Sequence, residues 1–197
     1  MKVIHYFAHP GQSTSRVNRA MWAASSRISG ITAVDLYSEY PRYDIDINRE
    51  QARLLAHDLI LLQFPFFWYS CPALLKEWID LVLEHGFAYG KGGDKLAGKT
   101  LMLAISAGGP EEAYSKDGYQ NHELRTFLTP FEQTARLCRM SFLAPYVLYG
   151  SLTEPEDDHA RGFVTLIEAL RDDQFDLTSA KAAEVLTHTS LPILQRA

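Results

Sequence analysis

The segment DLILLQFPFF, at positions 58–67, constrains the fold more than any other part of the chain. Its residues are almost continuously apolar, whereas a strand with one face in water alternates apolar and polar residues. A continuous run of this length is typical of a strand that is covered on both faces. It therefore predicts the interior of a parallel sheet with helices packed on each side.

Four other short segments have the composition of strands, and helical patterns separate them. The four strands are KVIHYFA (2–8), ITAVDLYS (31–38), TLMLAISA (100–107) and FLAPYVLYG (142–150), where Pro145 suggests an edge or a bulge. The predicted helices cover about residues 16–28, 48–56 with Asn48 as N-cap, 72–83 with Pro72 at the first position, 127–140 and 157–171.

Strands that alternate with helices over 197 residues predict an α/β domain. Five strands favour a flavodoxin-like parallel sheet in the order 2-1-3-4-5, with helices on both faces. The longer dinucleotide-binding fold is disfavoured because its G-x-G-x-x-G turn is absent from the sequence. We assign residues 1–172 to this domain and residues 173–197 to a C-terminal extension that is not a separate domain.

Composition and charge exclude several classes of function. The net charge of −5 argues against a nucleic-acid partner, which requires a basic face. No window reaches the ~18 uninterrupted apolar residues of a membrane span. The two cysteines, Cys71 and Cys138, and the scattered histidines lack the spacing of a metal or redox site, so no metal is predicted. Without a secretory signal, a cytoplasmic location is expected.

One nucleotide-binding pattern is present in the wrong context. The segment GDKLAGKT, at positions 93–100, matches G-x-x-x-x-G-K-[ST]. That motif must leave a strand and open a helix, whereas this segment leaves a loop and enters the strand TLMLAISA. The match therefore does not predict hydrolysis of ATP or GTP.

The loops after the first, third and fourth strands should lie together, because ligands bind at the carboxyl ends of the strands in such sheets. The first loop places hydroxyl groups, Arg16 and Asn18 around the start of a helix, which suits a phosphate group. The alternative is simple capping of that helix by Ser13 or Ser15.

The other two loops suit a flat ligand. After the third strand, Trp68 and Tyr69 could form aromatic walls, although a hydrophobic lid over the core is the alternative. After the fourth strand, Gly108 and Gly109 let backbone N–H groups approach a ligand, although a plain turn is the alternative. Each signal is weak alone, and their coincidence at one edge of one sheet predicts a binding site.

With these loops in place, the chain resembles the quinone-reductase branch of the flavodoxin-like flavoproteins. More narrowly, it resembles the bacterial ancillary subunits of glutathione-gated potassium-efflux antiporters. The phrase WYSCPALLKEW is the most specific part of a resemblance that spans roughly the first 150 residues. The stretches that carry it are YFAHP (6–10), SRVN (15–18), YPRYDIDINREQ (40–51), FPFFWYSCPALLKEWIDLVL (64–83), HGFAYGKGG (85–93), LAGK (96–99) and SAGG (106–109).

The resemblance implies a role for each matching position. The residues expected to bind the cofactor are His9, Ser15, Arg16, Val17 and Asn18 at its phosphate and ribityl chain, and Phe66, Phe67, Trp68, Tyr69, Ser106, Ala107, Gly108 and Gly109 at its isoalloxazine ring. The resemblance also implies that Tyr114 assists catalysis beside the ring. Trp68 and Tyr89 would shape the substrate pocket, and in these dimers the aromatic matched by Tyr89 often comes from the other subunit.

The chain departs from the family pattern at two places. The quinone reductases have T-T-G-G where this chain has Ser106 and Ala107 before the two glycines, so one hydroxyl contact is absent. Many members carry a histidine where this alignment places Gln120, with His122 two residues further along. We therefore leave His122 out of the catalytic set.

The resemblance implies an FMN-dependent NAD(P)H:quinone oxidoreductase that works by alternating, ping-pong hydride transfers, with FMN rather than FAD as its cofactor. It also implies a homodimer and, as a second hypothesis, a regulatory partner of a membrane potassium-efflux antiporter, which would place the protein at the inner membrane through that partner. A flavodoxin-type electron carrier is the third alternative. It is disfavoured because flavodoxins are more acidic and lack the GFAY-type loop.

Overall fold

The parallel sheet of the computed structural model, which describes residues 1–11, 15–153 and 156–194, has the strand order predicted from the sequence. The neighbouring strands run β2-β1-β3-β4-β5, and β6 also pairs with β4. Every pair is parallel. The strands are β1 (Val3–Phe7), β2 (Thr32–Asp35), β3 (Leu59–Pro65), β4 (Thr100–Ser106), β5 (Ser141–Phe142) and β6 (Tyr146–Leu148).

The predicted fifth strand is interrupted. Its first part, β5, pairs with the start of β4, and its second part, β6, pairs with the end of β4. Pro145 lies in the gap between them, where its missing N–H group costs no ladder hydrogen bond. The structure therefore agrees with the irregularity that Pro145 suggested.

Helices cover both faces of the sheet. On one face, α1 (Arg16–Ser25) and α7 (Glu156–Arg171) pack against alternate residues of β1, β3 and β4. The other face is covered by α3 (Ile47–Ala56), α4 (Ala73–Val82) and α6 (Thr129–Leu137). All seven residues of β3 are buried, as its continuous apolar sequence predicted.

Two boundaries near the start of the chain differ from the sequence prediction. The second strand ends at Asp35, whose carboxylate accepts hydrogen bonds from the N–H groups of Tyr37 and Ser38 and so starts the short helix α2 (Leu36–Glu39). The predicted N-cap Asn48 is wrong, because Asp46 caps α3 by accepting the N–H of Arg49 at 3.0 Å.

Two later helices also begin differently. Pro72 was predicted to be the first residue of its helix. In the structure it is the N-cap of α4, with ψ of 149°, and the helix begins one residue later at Ala73. The predicted helix 127–140 is two helices, α5 (Leu124–Phe127) and α6. The N–H group that Pro130 lacks cannot continue the first helix, and the Thr129 hydroxyl donates to the Thr126 carbonyl at the junction.

The C-terminal extension packs against the last strand. After α8 (Leu177–Ala182), the Leu186 N–H donates to the carbonyl of Pro145, and the Val147 N–H donates to the carbonyl of Leu186, both at 2.8 Å. Leu186 is buried beside the edge of the sheet. Among the described residues, no helix has both the length and the apolar character needed to cross a membrane.

Candidate functional site

A cavity of about 780 Å³ lies at the carboxyl ends of β1, β3 and β4. Its volume is in the range of small-molecule and cofactor sites. Its wall is formed by His9, Ser15, Arg16, Val17, Asn18, Pro65, Phe66, Phe67, Trp68, Ser106, Gly108, Ser151 and Leu152. The structure therefore brings the three predicted loops to one place. Of the predicted cofactor-binding residues, Tyr69, Ala107 and Gly109 do not line the cavity.

The start of α1 forms the polar end of the cavity. Ser15 is the N-cap residue, yet its side chain makes no capping hydrogen bond, and the first turn contains no acidic residue. The alternative of capping by Ser15 is therefore wrong, and Ser13 lies outside the described residues. The N–H groups that Ser15 does not cap, the positive end of the helix and the guanidinium of Arg16 together favour an anionic group.

His9 contributes a neutral imidazole to the same wall. The ring is 6% exposed, and its Nδ1 accepts the N–H of Gly11 at 3.1 Å. Burial lowers the pKa of His9 below its usual value, which favours the neutral ring. Because Nδ1 is an acceptor, the ring hydrogen lies on Nε2. The ring also packs edge-on against Phe67, with centroids 5.7 Å apart.

A strained turn after β3 holds the exposed aromatic residues. The Ser70 N–H donates to the Phe67 carbonyl at 3.0 Å, and the two central residues, Trp68 and Tyr69, have φ of 48° and 63°. Positive φ at both central positions is the pattern of a type I′ turn, in which Asn and Gly are preferred. Trp68 is 92% exposed although it lines the cavity. Such strain is characteristic of functional loops.

The four aromatic residues of this loop have different surroundings. Phe66 is nearly buried, and its N–H donates to the Ser106 carbonyl at 2.9 Å, which joins the second and third loops. Tyr69 turns away from the cavity and stacks on Phe127, with centroids 5.0 Å apart. The ring of His122 lies 5.6 Å from that of Phe127, so His122 is near this aromatic group rather than on the cavity wall.

The loop after β4 presents alternate residues to the cavity. Ser106 is 5% exposed, and its Oγ accepts a hydrogen bond from Asn18 Nδ2 at 2.7 Å. Ala107 is buried behind it. A Cβ at Gly109 would lie 2.5 Å from the hydroxyl of the exposed Tyr119 and 3.4 Å from the Tyr114 ring, so Gly109 packs against these two tyrosines. Gly108 alone of the two glycines faces the cavity.

The predicted catalytic and substrate residues lie outside the cavity wall. Tyr114 is 8% exposed and packs beneath Phe66 and Tyr149. Burial raises the pKa of Tyr114, whereas the nearby backbone of Gly109 acts in the opposite direction. Tyr89 is half-buried against His85 in the Gly-rich loop. The roles of Tyr114 and Tyr89 stay predictions.

The sequence reasoning missed three residues of the wall: Pro65, Ser151 and Leu152. The last two follow β6, where the Ser151 N–H donates to the Ala107 carbonyl at 2.9 Å. The signal was available, because the fifth strand also ends at this edge of a parallel sheet. Within the described residues, no group of three or more His, Cys, Asp or Glu side chains could hold a metal ion.

Comparison with sequence families matches residues 1–170 to the family described as having a flavodoxin-like fold. Among curated proteins, the glutathione-regulated potassium-efflux system ancillary protein KefG of Cronobacter sakazakii is 47% identical over 148 residues. That match covers 75% of this chain and 80% of the relative.

Solved structures with similar folds have several different names. A protein described as a thermophilic tryptophan halogenase from Streptomycin violaceusniger is 40% identical, with a TM-score of 0.79 over 84% of this chain and 96% of its own. General stress protein 14 of Treponema denticola, in complex with FMN, is 34% identical, with a TM-score of 0.81 over 86% and 99%. An NADPH-quinone reductase from P. pentosaceus is 29% identical, with a TM-score of 0.76 over 87% and 98%.

Proposed function

Because this chain belongs to the flavodoxin-like family and is related to the KefG ancillary proteins, we propose that it is an FMN-dependent NAD(P)H:quinone oxidoreductase. The observation that carries the proposal is the cavity at the carboxyl ends of β1, β3 and β4, which combines an anion-favouring helix start with aromatic walls. The names of two structural neighbours, an FMN complex and an NADPH-quinone reductase, support the same chemistry.

The residues of the cavity fit the parts of FMN. The start of α1, which Ser15 does not cap, and Arg16 suit its phosphate, because both favour negative charge. The hydroxyl of Ser106 suits a polar atom of the ring, and Phe66 and Trp68 supply apolar surface for a flat ligand. The volume of about 780 Å³ is in the usual range for a cofactor of this kind.

In this mechanism the side chains bind and orient rather than react. FMN, when bound, supplies the two-electron hydride chemistry between NAD(P)H and a quinone. The N–H groups at the start of α1 and the guanidinium of Arg16 hold its phosphate. Ser106 contributes a hydroxyl in a nearly dry wall, where hydrogen bonds are stronger than in water. Trp68 forms the solvent side of the cavity and leaves room for a planar substrate. Tyr114 would assist catalysis from its buried position, where its ring packs against Phe66.

Absorption spectroscopy tests the cofactor first. The purified protein, or the protein after addition of FMN, should show the visible absorbance of a bound flavin, and NADH or NADPH should bleach it. Addition of a quinone should restore the absorbance, and steady-state rates should give the parallel lines of a ping-pong scheme. A protein that neither carries nor gains a flavin contradicts the proposal. A flavin that is bleached but not restored by quinone instead supports an electron carrier.

The KefG relationship favours a second role, as the ancillary subunit of a potassium-efflux antiporter. We propose a cytoplasmic homodimer that reaches the inner membrane through this partner. Exposed Phe67, Trp68 and Tyr69 form an apolar rim that a second subunit could cover. Co-purification with the antiporter tests the partner, and sedimentation tests the dimer. Monomers that do not bind the antiporter contradict this role without affecting the enzyme assay.

A further inference from the structure

A row of buried hydrogen bonds leads from the centre of the sheet to the wall of the cavity. His5 Nε2 lies 2.9 Å from Gln63 Oε1, and Gln63 Nε2 donates to the backbone carbonyl of Asn18 at 3.1 Å. Asn18 Nδ2 then donates to Ser106 Oγ at 2.7 Å. We call these four side chains the His5–Ser106 row. All four are 5% exposed or less, and only the last two line the cavity.

The hydrogens of the row point in one direction. His5 is packed between Trp22 and Phe163, and burial lowers its pKa to about 4, so the ring is neutral near pH 7. The amide of Gln63 donates to Asn18, so its oxygen faces His5 and the ring hydrogen must lie on Nε2. The other ring nitrogen is 3.5 Å from the Ser25 hydroxyl.

The row leaves one hydrogen unused at its far end. Ser106 Oγ accepts from Asn18, and among the described residues no acceptor faces the hydroxyl hydrogen of Ser106. Gln63 Nε2 also lies 3.4 Å from Asn18 Oδ1, which holds the Asn18 amide with its nitrogen toward Ser106. The opposite orientation of that amide would make Ser106 donate to Asn18 rather than to the cavity.

We propose that His5 and Gln63 are positioning residues that fix the Asn18 amide and thereby present the Ser106 hydroxyl to the cavity as a hydrogen-bond donor. This inference rests on the proposed function, because the acceptor is a carbonyl oxygen or ring nitrogen of the bound FMN. A donor of fixed direction stabilises the form of the ligand that carries more negative charge, which here is the reduced form. Neither His5 nor Gln63 touches the cavity.

The main variant is Gln63→Met, which keeps the length of the side chain and removes both of its polar groups. The control is Leu61→Val, a buried change on the same strand and the same face of the sheet. Leu61 pairs with His5 in the strand register, but its side chain has no polar atom and makes none of the hydrogen bonds of the row, so it tests for a change in packing alone. A second pair separates packing from hydrogen bonding at the start of the row. His5→Leu removes the donor, whereas His5→Gln retains an N–H group near the position of Nε2.

The expected readout is the affinity for oxidised and for reduced FMN, measured by titration under aerobic and anaerobic conditions. Gln63→Met should weaken binding of reduced FMN about tenfold more than binding of oxidised FMN, which corresponds to about 30 mV in the two-electron potential. Leu61→Val should leave the ratio unchanged. His5→Leu should resemble Gln63→Met, and His5→Gln should restore the wild-type ratio.

A double-mutant cycle tests whether the effect passes through Ser106. In a Ser106→Ala background, Gln63→Met should no longer change the ratio, because the donor that it positions is absent. An equal change in both backgrounds overturns the inference. Wild-type protein that binds FMN while Gln63→Met behaves like Leu61→Val also overturns it, and leaves the proposed function intact. Wild-type protein that binds no FMN overturns both.

Nitrogen NMR of the protein without FMN gives a readout that does not depend on the cofactor. The wild-type His5 ring should be neutral at pH 7, with its hydrogen on Nε2 and slow exchange of that hydrogen with water. A hydrogen on Nδ1 would falsify the direction of the row. Gln63→Met should broaden the side-chain amide signals of Asn18, because the amide then has two orientations, whereas Leu61→Val should leave them sharp.

Discussion

Two neighbours on β1, His5 and Tyr6, begin two buried polar groups on opposite faces of the sheet. His5 starts the row that ends at Ser106 in the cavity wall. Tyr6 donates to the carboxylate of Glu50 at 2.7 Å, on the face covered by α3 and α4. Both groups lie in the core, where polar atoms need partners. They differ in where their last hydrogen bond leads.

The group around Glu50 is closed. Its carboxylate is fully buried and accepts hydrogen bonds from the hydroxyls of Tyr6 and Tyr40, the indole of Trp78 and the guanidinium of Arg53. We call these five side chains the Glu50 cluster. Burial first, and the neighbouring carboxylate second, raises the pKa of Tyr6 far above its usual value, so its hydroxyl stays a donor. No residue of the cluster lines the cavity.

The difference shows how one sheet separates stability from binding. The carboxylate of Glu50 accepts from β1, α3 and α4 through Tyr6, Arg53 and Trp78, so the cluster connects these three elements, and none of its residues lines the cavity. The His5–Ser106 row has neutral members and one unused donor at the cavity. We therefore expect changes in the cluster to affect mainly the free energy of unfolding, and changes at the open end to affect mainly ligand binding.

The largest effect is expected for Glu50→Leu. The substitution leaves three donor groups in the core without their acceptor, and it removes the shorter of the two carboxylate contacts of Arg53. Removal of one partner from a buried ion pair costs about 3–5 kcal/mol of stability. Urea denaturation measures this loss.

The matched control for Glu50→Leu is Glu39→Gln. Glu39 pairs with Arg49 and Arg53 near the surface, so its loss should cost less than about 1 kcal/mol. The protein that remains folded in the Glu50→Leu variant should bind FMN with unchanged affinity. A Glu50→Leu variant as stable as Glu39→Gln would show that the cluster does not hold the helices to the sheet.

The next effect is the pH dependence that His5 causes. The unfolded ring binds a proton near pH 6.5, whereas the folded ring binds one only near pH 4. Between these values the unfolded state binds more protons, so stability falls as the pH falls. The loss from His5 should reach about 2 kcal/mol at pH 5, relative to pH 8. Urea denaturation of wild-type and His5→Leu protein at both pH values gives the change in the free energy of unfolding with pH for each protein. The difference between these two changes measures the contribution of His5. An equal change in the free energy of unfolding for both proteins would contradict burial of a neutral ring.

The third effect is on binding alone. Arg16→Ala should weaken binding of FMN about tenfold, or about 1.4 kcal/mol, through loss of its charge near the phosphate. Riboflavin, which lacks the phosphate, should bind the variant and the wild type equally. Arg19→Ala removes an exposed charge three residues further along α1 and is the matched control. Isothermal titration measures the affinity of the wild type and of both variants for FMN and for riboflavin. An equal loss of affinity for riboflavin and for FMN would show that the phosphate does not bind at this end of the cavity.

The fold could be predicted because hydrophobic patterning records which faces of an element are buried. The apolar run 58–67 predicted β3 as an interior strand, and the alternation of strands with helices predicted the parallel sheet. The boundaries were less accurate, because they depend on single side-chain contacts. Asp35 ends β2 and starts α2, and Asp46 starts α3, through carboxylate hydrogen bonds that the pattern does not record.

The site was predictable only to the level of its loops. The rule for carboxyl ends brought His9, Phe66 and Ser106 together, but it gave no orientation for any side chain. The sequence therefore did not indicate that Tyr69 and Gly109 face away from the cavity. It also gave no signal for the His5–Ser106 row, whose hydrogen bonds join residues that lie 45 to 88 positions apart along the chain. Contacts of this separation follow from strand register rather than from local pattern.

The smallest effect is expected at the exposed rim, for Trp68→Gly. Trp68 has a φ of 48°, a conformation that costs an ordinary residue about 1–2 kcal/mol but that glycine adopts freely. Because glycine loses more backbone entropy on folding, the net gain in stability should be about 0.5–1 kcal/mol. The same variant should raise the KM for quinone, since Trp68 forms the solvent side of the cavity. The control is Leu152→Ala, an exposed residue of the same wall whose φ is not positive, which should give no gain in stability. Thermal unfolding and steady-state kinetics measure both effects. A more stable variant with unchanged KM would mean that the strain in this turn does not serve the substrate side of the cavity.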